Sequence, residues 1–442
     1  MSIATTTDVG IAGGLKQYYQ RVREDVFPLI TPMWAQFTKM KKGGPRNMQW
    51  GGEGAVFNVV NGDPVGQTFS AQGFLPRSNF RRSAKATVGI SRGYVRQQFD
   101  MLTVTATRNN QAAFISLGQQ IDEEVRLKSQ LMIQEAAHGD PRGVKAIVSN
   151  VVNQSTIDIV SPYGIVNGGQ GALWVAVGGL YAFRSSNGAV LRAGGPQVCA
   201  TIALQVAPDT YRITFPANFT GVVAGDVIVG ATANDDAFGA YPNGLTNILN
   251  RGAAFNNLHG IDPSVAGGER WNTTRMVAGT DTARADQMTE SDFHEIAMRI
   301  KARSGEDPFT SPDEFCIITT PGIAKSYAES MIGQRTVSLG EMKKLNGGYS
   351  AQGQWNGVPI IGDNYCPVGT VYFIHKPTLG WLDAEDFGQI TYEDSDAWRF
   401  VSDRDAYETS FKIYYNILTT KRNAHAIVTG FAESFRYSPL AF

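Results

Sequence analysis

Cysteine is scarce: Cys199, Cys316 and Cys366 are the three in 442 residues. They are odd in number and far apart, which excludes a disulfide framework and zinc-ligand spacing. The five histidines (His138, His259, His294, His375, His425) are scattered, and no pair stands at ligand spacing. The expectation is no metal and no cofactor. Charge is also low, 18% of residues against roughly 25% in an ordinary soluble domain. No apolar run reaches the roughly 18 residues of a membrane span, so no membrane partner is expected. Met1 to Gly14 lacks a basic segment followed by an apolar one, so no secretory signal is read there. These absences predict a soluble chain made in a reducing cytoplasm. One more is local: between Asp63 and Asp100 there is no acidic residue, while Arg77, Arg81, Arg82, Lys85, Arg92 and Arg96 are all present.

What is present is length, glycine and apolar residues. The chain is long enough for roughly three domains, with 43% hydrophobic residues, 48 glycines and a net charge of −1. Few charges with many glycines point to a surface that meets other protein. A loop-rich β protein explains the glycines equally well.

Along the chain, residues 1–44 combine a small, polar start with a short helix and aromatic anchors: Tyr18, Tyr19, Phe27, Trp34 and Phe37. Pro28 and Pro32 end any continuing helix. Two readings stand: an arm that docks by aromatic knobs, or a helix packed on its own core. Residues 45–106 read as a basic, extended hairpin without a core of its own. Ala55 to Val60 is one strand, and Ala84, Ala86, Val88 and Ile90 alternate as another. Residues 107–141 hold the strongest helix, over 107–138. Phe114, Leu117, Ile121, Val125 and Met132 fall near one face, and Gly139-Asp140-Pro141 ends it. At about 1.5 Å per residue it is roughly 45 Å long.

Charge thins over 142–235, and short β runs recur: Val144–Val152, Thr156–Val160, Leu173–Val177, Gln197–Val206, Tyr211–Phe215 and Asp226–Val229. That spacing predicts a small β-barrel or sandwich, inserted in the chain. Residues 236–385 alternate helix and strand. Ser291 to Arg303 is a helix with Phe293, Ile296, Ala297 and Ile300 on one face. Glu314 to Thr319 is a buried strand, and Pro321 opens the next helix. Val358–Ile361 and Val371–Ile374 are strands. Residues 386–442 are β-rich. Acids crowd the start of this region, among them Asp383, Glu385, Asp386, Glu393, Asp394 and Asp396, and the crowding continues to Glu408 against only Arg399 and Arg404.

Catalytic motifs fail on context. Gly89-Ile90-Ser91-Arg92-Gly93 fits a nucleophile elbow, which needs a helix directly after the serine, whereas Tyr94-Val95-Arg96-Gln97 continues the strand. His294-Glu295 begins like a zinc-protease helix, but Met298 stands where the second histidine belongs. Asp403-Arg404-Asp405 sits in a run already so acidic that a solvated or subunit-facing patch is the simpler reading. No phosphate-cradling glycine motif occurs. A non-enzymatic chain is expected. A basic hairpin that lies on a neighbouring subunit is the reading preferred over one that contacts DNA. Asp383 to Glu408 is its acidic counterpart.

The order of these parts resembles the major capsid proteins of tailed bacteriophages, the Hong Kong 97-type shell fold. The segments Trp355-Asn356-Gly357-Val358-Pro359-Ile360 through Thr370-Val371-Tyr372-Phe373, and Tyr414-Tyr415-Asn416 through Lys421-Arg422-Asn423-Ala424-His425-Ala426, are similar to such proteins. The resemblance implies an α+β chain. Residues 1–44 are then the N-terminal arm, 45–106 the E-loop and 107–141 the spine helix of a peripheral domain. Residues 142–235 are an inserted domain, 236–385 the axial domain with part of the peripheral one, and 386–442 the returning β segment. It implies a structural subunit that forms pentamers and hexamers in an icosahedral shell around double-stranded DNA, assembled in a bacterial host's cytoplasm and ending in the virion. Scaffolding, portal and cement proteins are implied partners. With no long helical segment ahead of the arm, scaffolding is expected as a separate chain or not at all. Some members cross-link an E-loop lysine to a neighbour's asparagine. Lys85, the lysine of this hairpin, is on a strand rather than the tip, so that chemistry is not carried over. A nanocompartment shell of the same fold and a hydrolase with carbohydrate-binding β modules are the alternatives.

Overall fold

The computed structural model describes residues 38–40, 49–51, 54–60, 83–100, 125, 128–163, 170–204, 210–232, 235–252, 255–265, 268–332, 353–390, 399–401 and 405–433. The chain divides into two compact units. One comprises Met1–Ile30, Arg92–Ile133 and Glu385–Tyr414; the other comprises Thr31–Ser91, Gln134–Ala384 and Tyr415–Phe442. Among the described residues no helix is long and apolar enough to cross a membrane.

The described residues of the larger unit form β-sheets and several helices. Its strand β1 (Thr38–Met40) runs parallel to the start of β18 (Leu379–Gln389), with Thr38 opposite Gly380. β2 (Gln49–Gly51), β3 (Gly54–Val60) and β4 (Ser83–Gly89) form an antiparallel three-stranded sheet. Its register runs from Gly54 opposite Gly89 to Val60 opposite Ser83. The expected two strands are therefore present. The expectation that they lack a core is corrected: Ala55 and Val88 are buried against Leu382 and Leu418 of the same chain, with Phe57 at the margin. Small and β-branched residues alternate to one face, and that face is covered.

The second sheet takes in β6 (Val144–Asn153), β7 (Thr156–Val160), β8 (Leu180–Arg184), β9 (Gln197–Val198), β10 (Thr201–Leu204), β11 (Tyr211–Thr214) and β12 (Val227–Gly230). Its order is β10-β11-β7-β6-β12-β8-β9. The two outermost segments are consecutive in the chain. At the junction Cys199 N donates to Gly179 O on one side and Ala200 N to Thr214 O on the other, both at 2.9 Å. One bent strand thus serves both edges and closes the sheet into a barrel, which removes its open edges. The inward positions are apolar, with Phe183, Phe215 and Phe219 packed edge to face at 4.4–5.6 Å. Two sequence expectations fail here. Gln197–Val206 is not a single straight strand. Leu173–Val177 is not a strand at all: it is a run of turns, and Ala172 and Val175 are apolar because they plug the barrel core. The strand of that region is Leu180–Arg184.

The third sheet, order β13-β21-β17-β14-β16-β15, is mixed. It comprises β13 (Thr274–Val277), β14 (Phe315–Thr319), β15 (Gln354–Trp355), β16 (Val358–Gly362), β17 (Val371–His375) and β21 (Ala426–Thr429). Helices Glu290–Ser304 and Pro321–Ile332 belong to this core. Phe293, Ile296, Ala297 and Ile300 are buried as the period predicts. Thr289 and Asp292 form a reciprocal capping box, and Gly305 at φ 76° closes the first helix in the left-handed conformation that a glycine adopts without strain.

In the smaller unit, β5 (Ser91–Asp100) pairs with β20 (Ala406–Thr419), and β19 (Arg399–Phe400) pairs antiparallel with β20 at Arg399 and Glu408. The expected long helix is seen at its C-terminal end. Residues 128–138 are helical and stop before Gly139, and Val125 is helical and buried. Phe114, Leu117 and Ile121 lie outside the described residues.

Candidate functional site

The basic segment leads out of the hairpin into β5. Along β5, Arg92, Tyr94, Arg96 and Gln98 are exposed and alternate with half-buried Gly93, Val95 and Gln97. The inward side is closely packed at Gly93, where an added Cβ would stand 2.8 Å from the Met132 methyl and 3.0 Å from Ile413, so those side chains would have to shift. The outward side is cationic and aromatic. The Tyr94 and Tyr414 hydroxyls are 3.1 Å apart, and their rings meet edge to face. The Lys412 ammonium stands 5.5 Å from the Tyr414 ring centre, within cation–π range. Arg96 donates to Glu408, a carboxylate that is itself buried while Arg96 is 63% exposed. One basic residue of the hairpin segment thus meets one acid of the 383–408 run inside a single chain.

The other residues anticipated for assembly fall as follows. Lys85 is exposed on β4, opposite Asn58. Arg77, Arg81 and Arg82, and the anchors Tyr18, Tyr19, Phe27, Trp34 and Phe37, lie outside the described residues, as do Glu393, Asp394 and Asp396. Asp383, Glu385 and Asp386 are on β18, but their side chains are not described. The serine motif is extended through Ser91 and followed by strand, as read from sequence. His294 and Glu295 are exposed on their helix; the His294 ring shares a hydrogen bond with Glu290 O, and Glu295 accepts from Arg299.

What sequence reasoning missed is a set of buried polar knots in the larger unit. The side chain of Arg422 is buried and donates to four carbonyls: Ile248 O at 2.9 Å, Asn247 O at 2.8 Å, Asn256 O at 2.6 Å and Phe255 O at 2.6 Å. Burial pulls its pKa down to about 9. The guanidinium fork ties the end of the short helix Leu245–Ile248 and the Phe255–Asn256 stretch to the segment before β21. His425 donates from Nε2 to Thr419 Oγ1 at 2.9 Å and accepts at Nδ1 from His375 N at 3.2 Å. Burial, with the charges of His375 and Arg422, lowers its pKa to about 3, so the ring is neutral. Asp363, also buried, accepts from Gln134 Nε2 at 2.7 Å and lies 3.1 Å from His138 Nε2. Lys145 pairs with Glu135 beside Tyr241. Burial opposes its charge, yet those two partners hold its pKa above the ordinary lysine value.

One group brings metal-ligand side chains together: Glu306, Glu314 and His375 offer atoms within 4.8 Å of one another. The Lys421 ammonium already donates to Glu306 at 2.6 Å, and His375 Nδ1 is 3.1 Å from Thr378 Oγ1. A lysine cation stands where a metal's charge would be needed, and the group reads as an ion-pair network. No local spacing announces it, because Glu306 and His375 are far apart in the chain.

No protein-family model matches the chain, and no curated protein does. Solved structures do match. A chain of the cyanophage A-1(L) capsid asymmetric unit aligns over 94% of this chain and 97% of its own length, at 11% identity and a TM-score of 0.59. The capsid of Myoviridae phage XM1 aligns over 94% and 96% at 6% identity, but its TM-score of 0.45 adds no weight. The SrpI encapsulin of Synechococcus elongatus PCC 7942 aligns over 38% of this chain and 56% of its own, at 13% identity and a TM-score of 0.25, and carries no argument. The chain shares the fold of that cyanophage capsid chain, mixed in sheet and helix.

Proposed function

We propose that this chain is a structural subunit of a tailed-phage shell. It forms pentamers and hexamers that close into an icosahedral capsid around double-stranded DNA, assembles in the host cytoplasm and is carried in the virion. The observation that carries the reading is the fold match over nearly the full length of a phage capsid chain. In this scheme residues 1–44 are the arm, 45–106 the E-loop, 107–141 the spine and 236–385 with 386–442 the axial and peripheral parts. The barrel of 142–235 is an inserted domain: a closed sheet with its own core would tolerate insertion without sharing strands with its host.

The E-loop arginines Arg77, Arg81, Arg82 and Arg92, with Lys85 and Arg96, meet the acidic run of a neighbour: Asp383, Glu385, Asp386, Glu393, Asp394 and Asp396. Each exposed pair contributes under about 1 kcal/mol. Repetition around the shell, with Tyr18, Tyr19, Phe27, Trp34 and Phe37 as arm anchors, sets register and closure. Exposed Arg92 on β5 and exposed Lys85 on β4 support this, since both cations are presented outward on a folded scaffold. Scaffolding, portal and cement proteins complete the partner set.

Negative-stain microscopy and size-exclusion of the expressed chain test the reading. Closed particles containing nucleic acid are expected; a monomer overturns it, and particles filled with protein cargo point to a nanocompartment instead. The triple variant Arg81→Glu, Arg82→Glu, Arg92→Glu is expected to stay folded by circular dichroism yet form no particles. Normal particles from it would sink the charge pairing.

A further inference from the structure

We infer that His259 is the positioning residue that sets the direction in which the β3–β4 hairpin leaves the body of the subunit; this rests on the reading of that hairpin as the intersubunit arm. Leu258 and Ile261 exchange both backbone hydrogen bonds, N to O at 3.1 and 3.0 Å. The two residues between them, His259 and Gly260, have φ of 58° and 83°. Positive φ at both central positions is the pattern of a type I′ turn, where Asn, Asp or Gly at the first position avoids strain. A histidine adopts this left-handed conformation less readily than glycine, because its Cβ crowds the backbone there. The side chain is nevertheless 7% exposed, so the strain is maintained by what the residue touches.

It touches three strands. The His259 carbonyl accepts from Thr87 N at 2.9 Å, on the outer edge of β4. Its ring meets Phe57 of β3 edge-on at 6.0 Å. Its Nε2 accepts from Thr419 N at 3.4 Å, at the end of β20. One residue therefore links both hairpin strands to a strand of the body. The turn is itself braced from behind. Trp271 Nε1 donates to Leu258 O at 3.3 Å, and Arg422 holds the carbonyls of Phe255 and Asn256 just before the turn.

The other attachments of the hairpin divide by kind. Ala55 and Val88 against Leu382 and Leu418 are apolar, and apolar contact is non-directional: it holds the hairpin down without fixing its angle. Direction comes from hydrogen bonds. Asn416 Nδ2 donates to Gly89 O at 2.7 Å, and His259 holds Thr87 two residues earlier. The edge of β4 is tied at two points, and two points define its direction. The His259 Nδ1 atom is buried and has no hydrogen-bond partner among the described residues. A side chain that leaves a polar atom unpaired and sits in a strained conformation is poorly explained by stability alone.

Hydrogen exchange on the purified full-length subunit, with microscopy of particles, tests the inference. Asn tolerates positive φ, so His259→Asn keeps the turn and removes the ring. It is expected to raise exchange over residues 54–60 and 83–89 by tenfold or more. Exchange in Phe315–Thr319 and Val371–His375 should stay unchanged, and particles should become few or irregular. Phe57→Ala, which spares the turn altogether, is expected to act in the same direction on the hairpin. Gly260→Ala, with open space around its Cβ but a φ of 83°, strains the turn while keeping the ring and should loosen the hairpin as well. Unchanged hairpin exchange in His259→Asn overturns the inference. So does an equal rise in the core strands, which would mark a general packing role, or a loosened hairpin with normal particles. If the unaltered chain forms no particles, the shell reading fails, while the exchange data still decide whether His259 holds the hairpin.

Discussion

The barrel of residues 142–235 and the six-stranded body around β14 and β17 solve the same problem in opposite ways. The barrel fills its interior with apolar rings, and the buried carboxylates at its margin, Asp158, Asp226 and Asp236, are each met by a partly exposed arginine: Arg212, Arg192 and Arg184. The body buries Arg422, Asp363, His375 and His425 among its loops. A closed sheet satisfies its own backbone and needs only packing. The body instead has long connections whose carbonyls end inside the protein, and polar side chains must reach them.

That contrast can be broken first by acid. In the unfolded chain an imidazole takes up a proton near pH 6.5, whereas His259 and His425 in the folded body stay neutral down to about pH 3, chiefly through burial. Between those values the unfolded state binds more protons. The stability is fully present above pH 6.5 and drains as pH falls toward 3, by about 3 kcal/mol per pH unit for the two together. No histidine occurs in 142–235. Hydrogen exchange at pH 4–5 is expected to show the body opening while the barrel strands stay protected; simultaneous loss of both would contradict the contrast.

A smaller effect is expected from Arg422→Ala. Four buried carbonyls lose their donor at about 1–3 kcal/mol each, partly relieved by water, for a loss of roughly 5 kcal/mol. Chemical denaturation measures it, and a change below about 1 kcal/mol would mean that the loop is held by other contacts. Phe183→Ala comes last, at about 3–5 kcal/mol. Its effect is confined to the barrel, where exchange should rise in β7, β8 and β11 and not in β14 or β17.

Some of this was legible in the chain. The helix read at Ser291–Arg303 followed from apolar spacing, and it is observed as Glu290–Ser304. The buried strands β14 and β17 followed from unbroken apolar runs between turn residues. Leu173–Val177 misled because a barrel plug and a strand have the same composition. The hairpin looked coreless because its small inward residues Ala55 and Val88 meet apolar partners more than 290 residues away. Arg422 and His259 carried no signal at all, since one arginine or histidine in sequence does not say whether it faces water.

The sequence by itself determined parts and their order: a basic extended segment, a helix ending before Gly139, a β-rich stretch, a mixed region and an acidic run. Local period and turn chemistry suffice for that, because each depends on neighbours within a few residues. Only the tertiary structure decided that Cys199 and Ala200 join two edges into a barrel, that Arg96 meets Glu408 within one chain, and that a strained histidine braces the hairpin. Those outcomes depend on which distant groups share a buried place, and burial and partner are properties of the folded chain.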